Sequence, residues 1–461
     1  MESGQLQRRL GLVSAISITV GAVIGSGIFL KPMKVAQSLP SEEWIYVFWI
    51  GLGLVCLFGA FAYGELGAMF PEAGGQYAFL REGWGRGVAF LYGWVFFWVI
   101  NSGTVAALAV AFAEYLLPVF GADAAVQKEH PLLVTGMAAA MVLGLAVINH
   151  LGVTLGALLQ NLSTFAKVGA LCMVVVGGFV VASGGEPVTQ ASAFVAVEKA
   201  QTSLTMAGLV TAFTGIFWAY EGWYQMPFNA AELKRPERNL PLGLILGMVI
   251  LIATYAAMNM VYLHVVPFEE MRSLGESQDQ QVPYRTVARI FSPEVADYLT
   301  LLVAISVMGA ANPNFLSSPR AFYAMAQDGL VPRVLDRVSP RRGTPTVAIW
   351  VQAIWGVLLV FYLQNFHDLT AFVVFAGFLF YALTVAALYR LRRSRPDAPR
   401  PYRCTGYPVT PALFIAVSVL FVVALLLDPD ERKNALYGLA ILATGALYYF
   451  GWRVGHDGKR A

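Results

Sequence analysis

A chain of 461 residues that is 57% hydrophobic and 13% charged lies far below the roughly 25% charge of a soluble domain, which excludes a soluble globular enzyme of this size. At roughly 20 apolar residues per bilayer crossing, it supplies about a dozen helices with short loops, read here as one all-α membrane domain. The net charge of +3 selects no partner by itself, so the placement of charge matters more than its sum.

Arg8 and Arg9 precede an apolar run without the short core and small-residue cleavage site of a signal peptide, so this run reads as a retained first helix, Gly11 to Gln37. Its middle is unusual. Gly21, Gly25 and Gly27 fall within a few positions, with Ser26 between the last two, and each glycine inside a helix costs about 1 kcal/mol relative to alanine. Such a cluster predicts a break that frees amide N–H and C=O groups, tolerated in a bilayer only where backbone lines a polar cavity. Helix 2 follows at Trp44 to Phe70, then a polar turn PEAGGQYAFLREGWG with Gly74 and Gly75 supplying turn geometry, and helix 3 at Arg86 to Pro118. After a mixed loop with Asp123, Lys128, Glu129 and His130 come helix 4, Leu132 to Gly152, and helix 5, Gln160 to Ser183. A longer polar connection reaches about Ser203.

Helix 6 begins near Leu204 and carries FWAYEGW, Phe217 to Trp223, before a charged turn AAELKRPERNLP. Gly215 and Gly222 bracket this aromatic stretch and repeat the oddity of helix 1. Helix 7 spans Leu242 to Val266; a long polar loop holds Glu269, Arg272 and Asp279. Helices 8, 9 and 10 are placed at Ala296 to Met325, Thr346 to Leu363 and Leu369 to Leu391, and helices 11 and 12 at Thr410 to Leu427 and Ala435 to Trp452. Five crossings separate the starts of helices 1 and 6. Five is odd, so two related units, 11–183 and 204–391, are inverted in the membrane, with 410–452 appended. Paired interrupted helices at matching positions of inverted halves point to the substrate site of a secondary transporter.

Of the 31 lysines and arginines, 21 fall on the side of the N-terminus, nine on the other side and one, Lys167, within a span. The excess is strongest in Arg333, Arg337, Arg341 and Arg342, and in Arg392, Arg393, Arg395, Arg400 and Arg403. This predicts twelve helices in a plasma (inner) membrane with both termini cytoplasmic, and no nucleic-acid surface. Cys56, Cys172 and Cys404, and His130, His150, His264, His367 and His456, lack metal-ligand spacing. No metal, cofactor or disulfide framework is expected. Nor does any nucleophile–base pair with interpretable spacing suggest an enzyme.

Four segments, in order along the chain, resemble the L-type amino acid transporter family of the amino acid–polyamine–organocation superfamily, in its bacterial-type form. They are VGAVIGSGIF, AYGELGAMFPEAGGQYAFL (Ala62 to Leu80), FWAYEGW with AELKRPERNLP, and PRAFYAMAQDGLVP (Pro319 to Pro332). The resemblance implies a sodium-independent exchanger of neutral L-amino acids working by alternating access. In that family the residues matching Ser26 and Gly27 bind the substrate carboxylate, which suits amides at a half-helix start. The candidate substrate residues are Val23, Ile24, Gly25, Ser26, Gly27, Trp218, Ala219, Glu221 and Gly222, with the carbonyls near Val23, Trp218 and Glu221 facing the ammonium. Close helix packing is the other reading of the small residues. Lys167, Trp218, Tyr220 and Asn312 are the candidates for coupling or gating.

By the same resemblance, the Lys167 ammonium replaces a bound sodium ion between helices 1 and 8; snorkelling to the interface is the alternative. Trp218 matches the aromatic residue that covers the substrate from outside, whereas Tyr220, Trp223 and Phe378 equally suit the core. Glu221 stands where many animal members carry glycine. It lines the amine subsite, carries a proton, or caps the second half-helix, the last being preferred. Asn312 and Ser317 are placed against Lys167 or helix 1. Glu65 is taken as part of a cytoplasmic structural element, and Glu232 to Pro241 as a solvated inner loop that holds the intracellular gate. The loop Pro118 to Pro131 lacks the cysteine by which animal members join a glycoprotein subunit, so no such partner is expected. A proton-coupled amino acid or polyamine symporter on the same fold is the nearest alternative reading, and a membrane amino-acid sensor without flux is the alternative of another class.

Overall fold

The computed structural model describes residues 8–122, 124–184, 203–275, 281–362, 366–429 and 431–457. Asp123, most of the connection before Ser203, Asp279 and Leu363 lie outside the described residues, as do the side chains of His367 and His456.

The chain is all-helical among the described residues. Helix 1 is three pieces, α1 (Leu12–Val23), α2 (Gly27–Leu30) and α3 (Pro32–Ser38), interrupted at Ile24, whose backbone is extended (φ −69°, ψ 92°). Next come α4 (Glu42–Met69), α5 (Gln76–Trp84), α6 (Arg86–Val95), a π-helical turn Phe96–Asn101 and α7 (Ser102–Leu116). Then follow α8 (Ala124–Glu129), α9 (Pro131–Leu151) and α10 (Val153–Ala182). Helix 6 is α11 (Met206–Tyr220), a break at Glu221 and Gly222, and a 3-10 stretch Trp223–Glu232. The rest is α12 (Pro236–Val265), α13 (Phe268–Ser273), α14 (Val282–Ile290), α15 (Pro293–Leu316), α16 (Pro319–Gln327), α17 (Thr346–Tyr362), α18 (Phe366–Ser394), α19 (Val409–Leu427) and α20 (Arg432–Asp457).

Every expected helix has a counterpart here. Among the described residues nine helical stretches, from Leu12–Leu30 to Val409–Leu427, are long and apolar enough to cross a bilayer; Thr346–Tyr362 is a shorter apolar helix. Their outward faces carry large exposed apolar side chains, including Leu162, Phe165, Met173 and Val176 on α10 and Leu420 and Leu427 on α19. In water such patches drive aggregation, and in lipid they are at home.

Some connections, and helix 8, differ from expectation. The polar turn after helix 2 contains α5: the positive φ of Gly74 (109°) and Gly75 (49°) turns the chain, and Tyr77 and Leu80 are then buried on one face. Tyr77 Oη donates to Asp328 Oδ2 (2.6 Å) and Arg81 pairs with the same carboxylate (3.1 Å), fastening α5 to the end of α16. The loop after helix 7 folds into α13 and α14. Helix 8 breaks at Ser317 and Ser318, so the expected single span is α15 followed by α16.

The segment from Glu232 is not a solvated loop at its start. Glu232 is fully buried and pairs with Arg320 (2.9 Å), while α12 begins at Pro236. Glu65, also fully buried, accepts from Arg392 Nη2 (2.5 Å) and the Cys404 amide (2.6 Å), with Arg400 3.2 Å away. The expected structural role of Glu65 is therefore concrete: it clasps the α18–α19 connection against α4.

α1 packs against α12 and α10, α4 along α12, and α7 against α15. These contacts bring the broken middles of helices 1 and 6 together at the centre of the molecule.

Candidate functional site

The two breaks face each other. Gly27 lies so close to α11 that a Cβ placed on it would sit 2.3 Å from Ala219 Cα, so only glycine permits this approach. Gly222 has φ 104°, where L side chains are strained, and a Cβ there would meet Ala22 O at 2.9 Å. Sequence and geometry agree on why glycine stands at both positions.

Between the breaks is a small cavity. Of the sequence-predicted residues, Val23, Gly25, Ser26, Gly27, Trp218, Glu221 and Gly222 line it; so do Ala22, Thr104, Leu108, Tyr224, Gln225, Ala310 and Asn314, which the sequence reading did not name. The amides of Ser26 and Gly27 stand at the start of α2, where a helix leaves its first N–H groups without intrahelical acceptors and its dipole favours negative charge. Trp218 Nε1 donates to Ser26 Oγ (3.2 Å), bridging the two breaks in the cavity wall.

The ends of α1 and α11 present carbonyls at the same two breaks. Trp218 O accepts from the Glu221 amide (3.1 Å), closing its own turn. Val23 O (3.3 Å) and Ala219 O (2.9 Å) both lie within reach of Tyr255 Oη on α12, a hydroxyl with one hydrogen to give. Tyr255 thus ties both helix ends to one group, and nothing in its local sequence distinguished it from other tyrosines in apolar spans. Ile24 and Ala219 belong to the breaks without lining the cavity.

Lys167, on α10, is 1% exposed. Its Nζ donates to Gly21 O (2.8 Å), Ile24 O (2.5 Å) and Ser306 O (3.1 Å). One ammonium therefore holds the carbonyl end of α1 to α15, which gives all three of its hydrogens an acceptor. The side chain runs inward to the break and does not snorkel to the interface.

Asn312 is not beside Lys167. It donates to Gly156 O (3.0 Å) and Gln160 Oε1 (2.9 Å) and accepts from Asn149 Nδ2 (2.8 Å). Six residues along a helix correspond to roughly 9 Å, so Ser306 on the same α15 reaches Lys167 while Asn312 sits deeper. It reaches helix 1 only through Gln160, whose Nε2 lies 3.3 Å from Ser17 O. Ser317 turns instead to Asn229.

Glu221 is 7% exposed, and its carboxylate accepts from Tyr381 Oη (2.6 Å) on α18. No side chain caps the stretch that starts at Trp223, so the preferred capping reading is corrected: the extended Glu221 backbone (φ −60°, ψ 142°) sends the carboxylate toward α18. Tyr220 points away from the cavity, donating to Trp49 O (3.0 Å) on α4. Trp223 packs on Tyr63 and Phe414, and Phe378 on Phe217 and Phe421, both in the core.

The amino acid permease family model matches residues 10–449. The chain is 32% identical to the human b(0,+)-type amino acid transporter 1 over 447 residues, covering 96% of this chain and 88% of the relative. It is 29% identical to the serine/threonine exchanger SteT of Bacillus subtilis, covering 97% and 98%. Similarity to the human large neutral amino acids transporter small subunit 2 is 30%, covering 96% and 80%.

Proposed function

Because the chain belongs to the amino acid permease family, we propose that it is a sodium-independent transporter, working as an exchanger, of neutral L-amino acids. The observation that carries this reading is the pair of apposed helix breaks, with a small cavity lined by Val23, Ser26 and Gly27 of one break and by Trp218, Glu221 and Gly222 of the other. An amino acid zwitterion fits such a pair of opposed half-helix termini: its carboxylate accepts from the amides, and its ammonium faces the carbonyl ends. Relatives whose names describe amino acid exchange or transport support the same substrate class.

Sodium independence is supported by Lys167. Its ammonium already occupies three carbonyls, from Gly21, Ile24 and Ser306, that together would suit a bound cation. Transport then proceeds by alternating access, with substrate held at the midplane while the helices around it rock. The two five-helix units, 11–183 and 204–391, are proposed as the inverted repeats that make this motion symmetric. The placement of basic residues supports a plasma membrane location with both termini cytoplasmic, and the cysteine-free loop before α9 supports a transporter acting without a linked glycoprotein.

Glu221 favours a second reading, proton-coupled uptake, because a carboxylate lines the cavity within reach of substrate. Purified protein in proteoliposomes separates the two. Uptake of radiolabelled leucine in sodium-free buffer that requires internal amino acid and is equal at pH 5.5 and 7.5 is the expected result. Uptake driven by an inward proton gradient and lost in Glu221→Gln would replace exchange with symport.

A further inference from the structure

Below the cavity, toward the side that carries the basic clusters, the 3-10 stretch of helix 6 faces α15 and α16 through a series of hydrogen-bonded polar side chains. Gln225, Asn229 and Glu232 stand at successive turns. Gln225 Nε2 donates to Asn314 Oδ1 (3.1 Å) and its Oε1 accepts from Ser318 Oγ (3.4 Å). Asn229 accepts from Ser317 Oγ (2.5 Å) and donates to Leu316 O (3.3 Å). Glu232 takes two hydrogen bonds from Arg320, at 2.9 and 3.3 Å, and one from Asn229 Nδ2 (2.9 Å). All of these residues are buried, the ion pair to 1% exposure on each side.

The same stretch is joined to helix 1 differently. The Arg9 and Leu10 amides donate to Glu232 O (2.8 and 2.9 Å), and the Lys234 amide donates to Leu10 O (2.8 Å), a short parallel bridge between Leu10 and Leu233. Backbone bonds thus couple the foot of helix 1 to the foot of helix 6, while mostly side-chain bonds cross from helix 6 to α15 and α16. A plane held by side chains parts without breaking secondary structure.

We infer that this three-layer polar seam is the inner gate, with Glu232 and Arg320 as its latch, and that the feet of helices 1 and 6 leave α15 and α16 as one unit. Two features of the chemistry carry this. The first layer, Gln225 and Asn314, is itself cavity lining, so a solute moving inward meets the seam at once. A hydrogen-bonded seam also exchanges its partners for water when it opens, whereas an apolar seam would expose oily surface to the aqueous path. A buried ion pair is stable only while both partners remain, because loss of one leaves an uncompensated charge that water must reach.

The gate presupposes the transport reading for what passes through it, yet its opening is measurable without any substrate. In a chain carrying Cys56→Ala, Cys172→Ala and Cys404→Ala, Thr104→Cys places a thiol on the cavity wall. Inside-out vesicles are treated with a membrane-impermeant cationic methanethiosulfonate reagent, and labelling at position 104 is followed by peptide mass spectrometry. Glu232→Gln and Arg320→Met are each expected to speed labelling about tenfold or more, and the pair combined to be slower than either alone, since no orphaned charge remains. Asn229→Cys with Ser317→Cys, oxidised with copper phenanthroline, is expected to block labelling from this side, and a reductant to restore it. Labelling that is unchanged by the single substitutions, or that persists through the oxidised cross-link, overturns the gate. Should the charge substitutions fail to fold, the cross-link decides alone.

Discussion

Lys167 is the residue whose surroundings say most about mechanism. A lysine inside an apolar span stands out in sequence because burying its charge is costly, and the structure supplies the compensation in three carbonyl acceptors. Each bond from a charged donor contributes about 1.5–3 kcal/mol. Lys167→Ala is therefore expected to slow the initial rate of sodium-free leucine uptake at least about tenfold, and a wild-type rate would remove Lys167 from the coupling machinery. Tyr255 was invisible beforehand, one tyrosine among twenty. Losing one neutral hydrogen bond costs about 1 kcal/mol, so Tyr255→Phe is expected to raise the half-saturating leucine concentration about fivefold; an unchanged value would make the hydroxyl mere packing. Cys404 lies in the α18–α19 connection, where burial pushes its thiol up to about 11. It is expected to stay unmodified by iodoacetamide at pH 7.5 for as long as the Glu65 clasp is intact. Rapid alkylation in the native protein would contradict that clasp.

At the level of elements, the breaks in helices 1 and 6 were legible because glycine is expensive inside an apolar helix and so marks a purpose. α5 was not legible as a helix, since PEAGG reads as turn chemistry and the nine residues after it are too few for a clear period. The break in helix 8 escaped because Ser317 and Ser318 fit a membrane helix as well as a turn. Asn312 stands out as a polar residue in an apolar span, but its neighbours do not, because contacts between α9, α10 and α15 depend on crossing geometry that spacing along one helix does not contain. The clasp of Glu65 on Arg392 and Arg400 holds α4 to the end of α18. Glu65→Gln keeps the shape while removing the charge that neutralises two arginines, and at about 2 kcal/mol it should lower the thermal aggregation midpoint in detergent by several degrees. An unshifted midpoint would show that the clasp adds nothing to stability.

For the whole molecule, composition alone announced a membrane protein, and the apolar outer faces of α10 and α19 bear this out. The lining of the cavity was half legible. Residues at the breaks carry glycine and aromatic signals, whereas Thr104, Leu108, Ala310 and Asn314 arrive from α7 and α15, helices whose sequences give no sign that they pass the centre. Exchange through this molecule requires substrate to occupy the space between the breaks, where Gly27 permits the contact with Ala219. The direct test is counterflow of radiolabelled leucine in sodium-free proteoliposomes, wild type beside Gly27→Ala, with both proteins shown to be monodisperse by gel filtration. Wild type should accumulate label only when loaded with internal amino acid, and Gly27→Ala should accumulate none. Counterflow at the wild-type rate in Gly27→Ala, or wild-type flux that appears only with sodium, would contradict the site and the mechanism built on it.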